Sequence, residues 1–237
     1  MLQEWQQGVV KKMADATPNT RMYWIELPKS EQFDFKPGQF VTLDLPISTQ
    51  RQKRWRSYSI ASAPNGNIIE LVIVHVLDGA GTGYLFDNIC VGDTIMLRGP
   101  QGTFLLPPNL DVELFMICTG TGIAPFRSML QHIYKQGIPF KKINLVFGTR
   151  LHEDLLYEQE MRQLELDMPG FHYLPTLSRQ TWEGHKGYVH GVYEALCANR
   201  QEATFMLCGW RAMADEAHQK ILEMGYTKKD IIAELYG

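Results

Sequence analysis

An all-β half followed by a doubly wound α/β half is the architecture that this amino-acid sequence predicts. Two observations carry the expectation. Up to Pro107, short β-branched and aromatic runs are punctuated by Gly, Pro, Asn and Asp, the rhythm of an all-β domain. Beyond Pro107-Pro108, apolar strand patterns alternate with helical ones, which implies a parallel sheet carrying helices on its faces.

Taken in order, the first half predicts strands over 22–27, 39–45, 56–62, 68–77 and 93–98. Ile69, Leu71 and Ile73 alternate with Glu70, Val72 and Val74, so one face is apolar and the other partly polar, as in closed barrels and sandwiches. One short helix is expected over 83–88. The second half opens with a strand over 112–118, a glycine turn, and a helix whose apolar positions are Phe126, Met129, Leu130, Ile133 and Tyr134. Strands over 143–147, 171–174 and 204–207 then alternate with helices around 154–165, 191–198 and 212–224. The turn-rich step over 107–110 is the expected boundary, giving domains of 1–108 and 109–237.

A chain of 237 residues is long enough for one large domain or two small ones, each with its own core. At 45% hydrophobic and 21% charged residues, it does not belong with disordered, collagen-like or coiled-coil sequences. The net charge of −3 gives no global attraction to nucleic acid or an anionic membrane, and neither is expected as a partner. Cys90, Cys118, Cys197 and Cys208 lack the spacing that zinc or an iron–sulfur cluster requires, so no metal is expected. The N-terminal residues carry no signal-like apolar region and no run is long enough to span a bilayer. The expectation is a cytoplasmic protein with reduced thiols.

The segment Cys118-Thr119-Gly120-Thr121-Gly122-Ile123-Ala124-Pro125 closes a strand and opens a helix. Unpaired backbone N–H groups and the positive helix end meet there, and an anion suits that position. Gly120 and Gly122 let the chain turn tightly and let a pyrophosphate approach, while Pro125 suits the first helical position. A plain tight turn is the alternative, but the flanking strand and helix favour a dinucleotide site formed by Thr119, Gly120, Thr121 and Gly122. At the end of the next strand, where an acidic residue would chelate a ribose diol, stand Thr149 and Arg150; Ser178 and Arg179 follow the strand after that. Hydroxyls and guanidinium groups suit a 2′-phosphate better than a diol, which favours NADPH, unless both arginines are solvated loop residues.

In the first half, Arg56-Ser57-Tyr58-Ser59-Ile60-Ala61-Ser62 places Arg56, Tyr58 and Ile60 on one strand face and Ser57, Ser59 and Ala61 on the other. An arginine for a diphosphate, a tyrosine ring for stacking and a serine hydroxyl for a ring heteroatom are the groups that a flavin nucleotide needs. A bland strand is the simpler reading of the spacing alone.

The segment 56–62 closely resembles the flavin motif of the ferredoxin–NADP reductase family, Arg-x-Tyr-Ser followed by small residues. The resemblance extends through Pro37-Gly38-Gln39-Phe40, Gly81-Thr82-Gly83-Tyr84-Leu85, Gly99-Pro100-Gln101-Gly102-Thr103-Phe104, the glycine turn 120–125, and Cys208-Gly209. It implies a six-stranded antiparallel FAD-binding barrel joined to an NADP-binding α/β domain. It further implies that Arg56 pairs with the flavin pyrophosphate, Tyr58 lies against the isoalloxazine and Ser59 bonds near its hydride-accepting nitrogen. Thr82, with the amides around Gly81 and Gly83, matches the family's second phosphate-binding turn, where the family commonly has Ser at Thr82 and a larger residue at Gly83. Glu234-Leu235-Tyr236 resembles the Glu-x-Tyr ending of plant-type members. That likeness implies a Tyr236 ring that covers the flavin and swings aside for nicotinamide, with Cys208 beside it. The alternatives are a C-terminal strand with Tyr236 in a core contact, and Cys208 as a small buried hydrophobe.

Hydride transfer and electron storage belong to nicotinamide and flavin, so the fold has only to align them and exclude water. The resemblance implies an oxidoreductase, a ferredoxin–NADP reductase type of enzyme coupling NADP(H) through FAD to ferredoxin or flavodoxin. Arg51-Gln52-Lys53-Arg54-Trp55-Arg56 packs four cations into six residues beside the flavin motif, a field suited to an acidic carrier protein or simply a solvated loop. Two alternatives remain open: an NADH-dependent reductase component feeding an oxygenase, and a non-catalytic electron-transfer subunit of a larger complex.

Overall fold

The computed structural model describes residues 4–29 and 31–236. The chain forms two compact units, one of residues 1–106 together with 124–132, the other of 107–123 and 133–237.

The first unit contains β1 (Gln6–Thr17), β2 (Thr20–Glu26), β3 (Phe40–Asp44), β4 (Trp55–Ser59), β5 (Ile68–Val74), α1 (Ala80–Asn88) and β6 (Thr94–Gln101). Every pairing is antiparallel, in the order β4-β3-β6-β1-β2-β5. Just past β4, Ile60 bridges to Leu71 of β5, and the Ala61 amide donates to the Glu70 carbonyl at 2.8 Å. The two edge strands are thereby joined, and the sheet closes into the expected six-stranded barrel with its edges removed. Val10, Ile25, Val41, Leu43, Leu71 and Leu97 fill it. Helix α1 is fastened to it by Tyr23, whose hydroxyl donates to the Leu85 carbonyl at 2.9 Å.

Two features of this unit differ from the sequence expectation. Strand β1 was not foreseen, because Lys11-Lys12 follow Val9-Val10 and register shifts fall between Val10 and Lys12 and between Asp15 and Thr17. Each shift breaks the alternation by which a strand is recognised. The partly polar face of β5 is not solvated either: Val72 and Glu70 are both 4% exposed.

Helix α2 (Ile123–Gln136) contributes its residues 124–132 to the first unit. A short 3₁₀ turn, Gly120–Gly122, precedes it, so Pro125 is the third helical residue and not the first. The position still lies in the first turn, where an N–H would have no intrahelical acceptor.

The second unit contains β7 (Glu113–Thr119), β8 (Lys142–Thr149), α3 (Glu158–Asp167), β9 (Phe171–Leu177), β10 (His185–Lys186), α4 (Val189–Leu196), β11 (Ala203–Trp210), α5 (Arg211–Glu223) and β12 (Ile231–Tyr236). The sheet is wholly parallel, in the order β10-β9-β8-β7-β11-β12. Successive strands step one way from β7 to β10 and then the other way to β11 and β12. The switch therefore lies between β7 and β11, and in such sheets ligands bind beyond the carboxyl ends of those strands. Central strands buried on both faces read as continuous apolar runs: Phe115, Ile117, Val146, Phe205 and Leu207 pack against Val189, Tyr193, Ala214, Ala217 and Ile221. Among the described residues, no helix is long and apolar enough to cross a membrane, and no group of three or more His, Cys, Asp or Glu is placed to hold a metal.

Candidate cofactor-binding sites

In the first unit, β4 carries Arg56, Ser57, Tyr58 and Ser59 opposite Leu43, Thr42, Val41 and Phe40 of β3. Directly opposed residues share a face, so Arg56 and Tyr58 stand on the side of the core residues Leu43 and Val41. On the other face the Ser57 and Thr42 hydroxyls are 3.1 Å apart. Tyr58 packs against the barrel core, and burial pushes its phenol well above the usual range, so the ring is presented as a neutral surface. Ser59 is buried at 5% exposure.

The guanidinium of Arg56 is anchored through Nη1, which donates to the carbonyls of Lys53 (3.0 Å) and Trp55 (2.8 Å). Its side chain lies over the first turn of α1: a Cβ on Gly81 would meet Arg56 Cγ at 2.9 Å and Nε at 3.0 Å. Helix α1 begins at Ala80, three residues earlier than the sequence indicated, so Gly81, Thr82 and Gly83 supply its N-terminal turn. A cation and the positive end of a nine-residue helix thus meet at one place. A Cβ on Gly83 would meet nothing within 4 Å, which leaves that turn open to a ligand. The Thr82 hydroxyl is turned inward: it accepts from the Val76 amide at 3.1 Å and donates to the Gly79 carbonyl at 3.2 Å. This donor set and open cradle fit a flavin pyrophosphate.

Sequence reasoning missed what holds the exit of β4. Glu70 of β5 is paired with Arg127 of α2 at 3.0 Å, and Arg127 Nη1 also donates to the Ala61 carbonyl at 3.0 Å. The Ser128 hydroxyl donates to the Ser62 carbonyl at 2.7 Å, and the Gln131 side-chain Oε1 accepts from the Ala63 amide at 3.0 Å. The basic loop is a 3₁₀ turn, Arg51–Arg54, and its cations are not equivalent. Arg51 and Lys53 are exposed, Arg54 is held by Asp44 at 2.7 Å, and Arg56 is bonded to the Lys53 and Trp55 carbonyls beside α1. Arg98 of β6 lies against two neighbouring indoles, 4.9 Å from the Trp5 ring and 4.6 Å from the Trp55 ring.

In the second unit, the glycine turn sits at the β7/β11 switch. A Cβ on Gly122 would lie 2.4 Å from the Cys208 carbonyl oxygen, and one on Gly209 would lie 2.8 Å from the Thr119 hydroxyl oxygen. Two backbone turns are packed directly on each other, which only glycine permits. Gly120 takes φ +52° with open space where a Cβ would be. Thr119, Gly120, Thr121 and Gly122 thus form a turn whose exposed side leaves room for an anion.

Cys208 pairs in register with Cys118 on one side and Glu234 on the other. Burial pushes the Cys208 thiol well above its usual range; the neighbouring Glu234 carboxylate adds to this and a hydrogen bond with Tyr236 opposes it. The register of β12 against β11 thus gathers Cys208, Glu234 and Tyr236, and the thiol stays protonated.

At the far side of the same sheet edge, Ser178 donates from its amide (3.0 Å) and its hydroxyl (3.2 Å) to the Thr149 carbonyl, and the Arg179 amide donates to the Arg150 carbonyl at 3.0 Å. The two candidate segments are therefore adjacent. Both arginines are exposed, and among the described residues no carboxylate pairs with either. Lys186 of β10 lies opposite Leu177 in register, next to Ser178, and Tyr188 is 75% exposed two residues further on. Neither was anticipated. An exposed aromatic between two glycine-flanked segments was the available signal.

Residues 7–105 match the family model for an oxidoreductase FAD-binding domain, and 116–219 that for an oxidoreductase NAD-binding domain. Over 230 residues the chain is 32% identical to ferredoxin–NADP reductase B of Sorangium cellulosum, covering 93% of each protein. It is 30% identical over 237 residues to the reductase component of a Pseudomonas phenol 2-monooxygenase, covering 97% of this chain and 65% of that protein. A crystal structure of a ferredoxin NADP+ reductase from Neisseria gonorrhoeae with bound FAD and NADP is similar at a TM-score of 0.80 and 27% identity, covering 98% of each chain.

Proposed function

The chain belongs to the ferredoxin–NADP reductase family, and from that premise we propose that it is an NADPH-dependent FAD reductase of a small one-electron carrier, ferredoxin or flavodoxin. When bound, the flavin supplies the chemistry of accepting a hydride from reduced nicotinamide and releasing electrons one at a time. The protein residues bind, orient and exclude water. The observation that carries the reading is the meeting of Arg56 with the N-terminal turn of α1, on the strand that also carries Tyr58 and Ser59.

In this reading the barrel domain spans 1–108 and the nucleotide domain 109–237. Arg56 and the amides of Gly81, Thr82 and Gly83 hold the flavin pyrophosphate; Thr82 acts through its amide, because its hydroxyl is already engaged. Tyr58 offers a neutral ring face, Ser57 steadies the strand from its outer side, and Ser59 orients the ring. The turn Thr119-Gly120-Thr121-Gly122 receives the nucleotide pyrophosphate. Cys208, Glu234 and Tyr236 form the nicotinamide end. A neutral thiol there would add no competing nucleophile, and the Tyr236 ring, whose hydroxyl is bonded to Cys208, would have to move aside to make room for nicotinamide.

NADPH is preferred over NADH in this reading because Thr149, Arg150, Ser178 and Arg179, hydroxyls and guanidinium groups suited to a 2′-phosphate, stand together at the ends of β8 and β9. An acidic carrier is the partner, met by the exposed Arg51 and Lys53. The second reading, an NADH-fed component serving an oxygenase, is favoured by the 30% identity to the phenol 2-monooxygenase reductase.

Anaerobic titration of the purified yellow protein with each nucleotide, followed at the flavin band, separates the two. Bleaching by NADPH at far lower concentration than by NADH supports the first reading, and the reverse order overturns it. Arg150→Ala with Arg179→Ala should raise KM for NADPH by about 10- to 100-fold, the loss of charge-assisted phosphate contacts, with KM for NADH unchanged.

A further inference from the structure

The segment that leaves the flavin strand is held by a buried charge. Ala61, Ser62 and Ala63 run directly on from β4 and Ile60, and three of their consecutive backbone polar groups are taken by three side chains of α2. Both charged partners are buried: Arg127 is 9% exposed and Glu70 is 4% exposed. The strand side is cross-tied as well, since the Glu70 amide donates to the Ser62 hydroxyl at 3.1 Å and the Ala61 amide to the Glu70 carbonyl at 2.8 Å.

Burying a carboxylate and a guanidinium is costly unless both are paired and further hydrogen-bonded, and a well-packed apolar pair would stabilise the unit as well or better. Arg127 satisfies the first condition by serving Glu70 and the Ala61 carbonyl from the same Nη1, while Ser128 caps the next carbonyl. What an apolar pair would lack is a fixed backbone. Through one guanidinium nitrogen, Arg127 ties the Ala61 carbonyl, two residues past Ser59, to the Glu70 carboxylate of β5.

We propose that Arg127 and Glu70, seconded by Ser128, are positioning residues for the flavin ring: they clamp the exit of β4 so that Tyr58 and Ser59 stand at a fixed angle and depth. The inference rests on the reading that β4 holds the flavin. It concerns ring orientation and redox poise, not phosphate binding, which belongs to Arg56 and α1.

The test uses the purified holoprotein and its Arg127→Lys, Ser128→Ala and Glu113→Gln variants. Glu113 is a paired carboxylate on β7 in the second unit, so its variant reports destabilisation without touching the flavin strand. Lysine keeps the charge but replaces the fork with a single ammonium. Arg127→Lys is expected to weaken FAD binding by about tenfold, the worth of one charge-assisted hydrogen bond, to shift the visible flavin band and to move the midpoint potential, with KM for NADPH unchanged. Ser128→Ala, a milder cut, should move the same readouts in the same direction by about threefold in FAD affinity. Glu113→Gln should lower Tm without moving the band or the potential.

A band and potential in both Arg127→Lys and Ser128→Ala equal to those of the parent overturn the proposal, as does an equal shift in Glu113→Gln. If the parent binds no FAD, or Arg56→Ala leaves FAD affinity intact, the reading of β4 as the flavin strand fails, and the proposal falls with it for that separate reason.

Discussion

Replacing Gly122 by alanine tests the packing on which the nucleotide turn depends. The new Cβ would lie 2.4 Å from the Cys208 carbonyl oxygen, 2.7 Å from its carbon and 2.9 Å from Gly209 Cα. All three are main-chain atoms at the end of β11, so no side chain can turn away. Restoring ordinary contact requires the two turns to part by about 1 Å, against a parallel pairing that runs in register from Ala203–Glu113 to Cys208–Cys118. Overpacking of this kind costs about 1–3 kcal/mol. At roughly 2–4 °C per kcal/mol for a chain of this size, Tm falls by about 2–12 °C. The amides of the turn are displaced by the same distance, and misplacement on that scale raises KM for NADPH at least about tenfold, while the flavin band is unchanged. The assay is a thermal melt of the FAD-loaded protein beside steady-state kinetics. Gly120→Ala is the comparison: it meets nothing within 4 Å and bears only the cost of φ +52°, about 1 kcal/mol. A Gly122→Ala protein with parental Tm and KM, or one milder than Gly120→Ala, would refute the reasoning.

Three further outcomes are expected. Gly83→Ala should stabilise the FAD-free protein by about 0.5–1 kcal/mol, since a helical Cβ there meets nothing, yet weaken FAD binding because that space faces the pyrophosphate; fluorescence titration showing unchanged or tighter binding rejects the cradle. Burial raises the Glu113 carboxyl pKa, but bonds from Lys142, Gln201 and Asn144 outweigh it and hold it below the usual range. Its stabilisation is therefore present above about pH 4.5 and lost as pH falls through the lower folded value, so the stability gap to Glu113→Gln in urea unfolding should close from pH 7 to pH 3. Burial lowers the His190 pKa, against Glu216 at 3.3 Å and Glu194 and together with Lys220, while Tyr193 hydrogen-bonds its Nδ1 at 2.9 Å. The unfolded chain thus binds the extra proton first, stability drops as pH falls below about 6.5, and His190→Gln should flatten that limb of the profile.

Local rules made the outlines of both units readable. The strand-glycine-helix step at 118–125 shows because glycine spacing and a helix start are properties of neighbouring residues, and Arg56 to Ser59 could be set on one strand because alternation is local too. Closure of the barrel is different in kind. It rests on the bridge between Ile60 and Leu71, and no periodicity within either strand specifies its partner. Strand β1 was hidden for a related reason: its bulges move Lys11 and Lys12 out of phase with Val9 and Val10, and only pairing on both sides, to β2 and β6, makes the segment a strand.

The carboxylate of Glu70 is buried on β5. On an alternating strand Glu70 reads as the polar, solvent-facing position, and in isolation that is the correct inference from charge. It fails because a guanidinium from α2 arrives to meet it, and the same guanidinium nitrogen also donates to the Ala61 carbonyl. A charged side chain breaking the pattern of its own strand is thus a sign of a distant partner. Such a partner is kept where geometry matters more than stability, because an apolar pair would fill the same space at lower desolvation cost. Replacing both residues, Glu70→Leu with Arg127→Met, should therefore leave the thermal stability of the FAD-free protein equal or higher while loosening the hold on Ala61. A double variant that loses more than about 3 kcal/mol would show that the pair serves the core and not the placement of the strand.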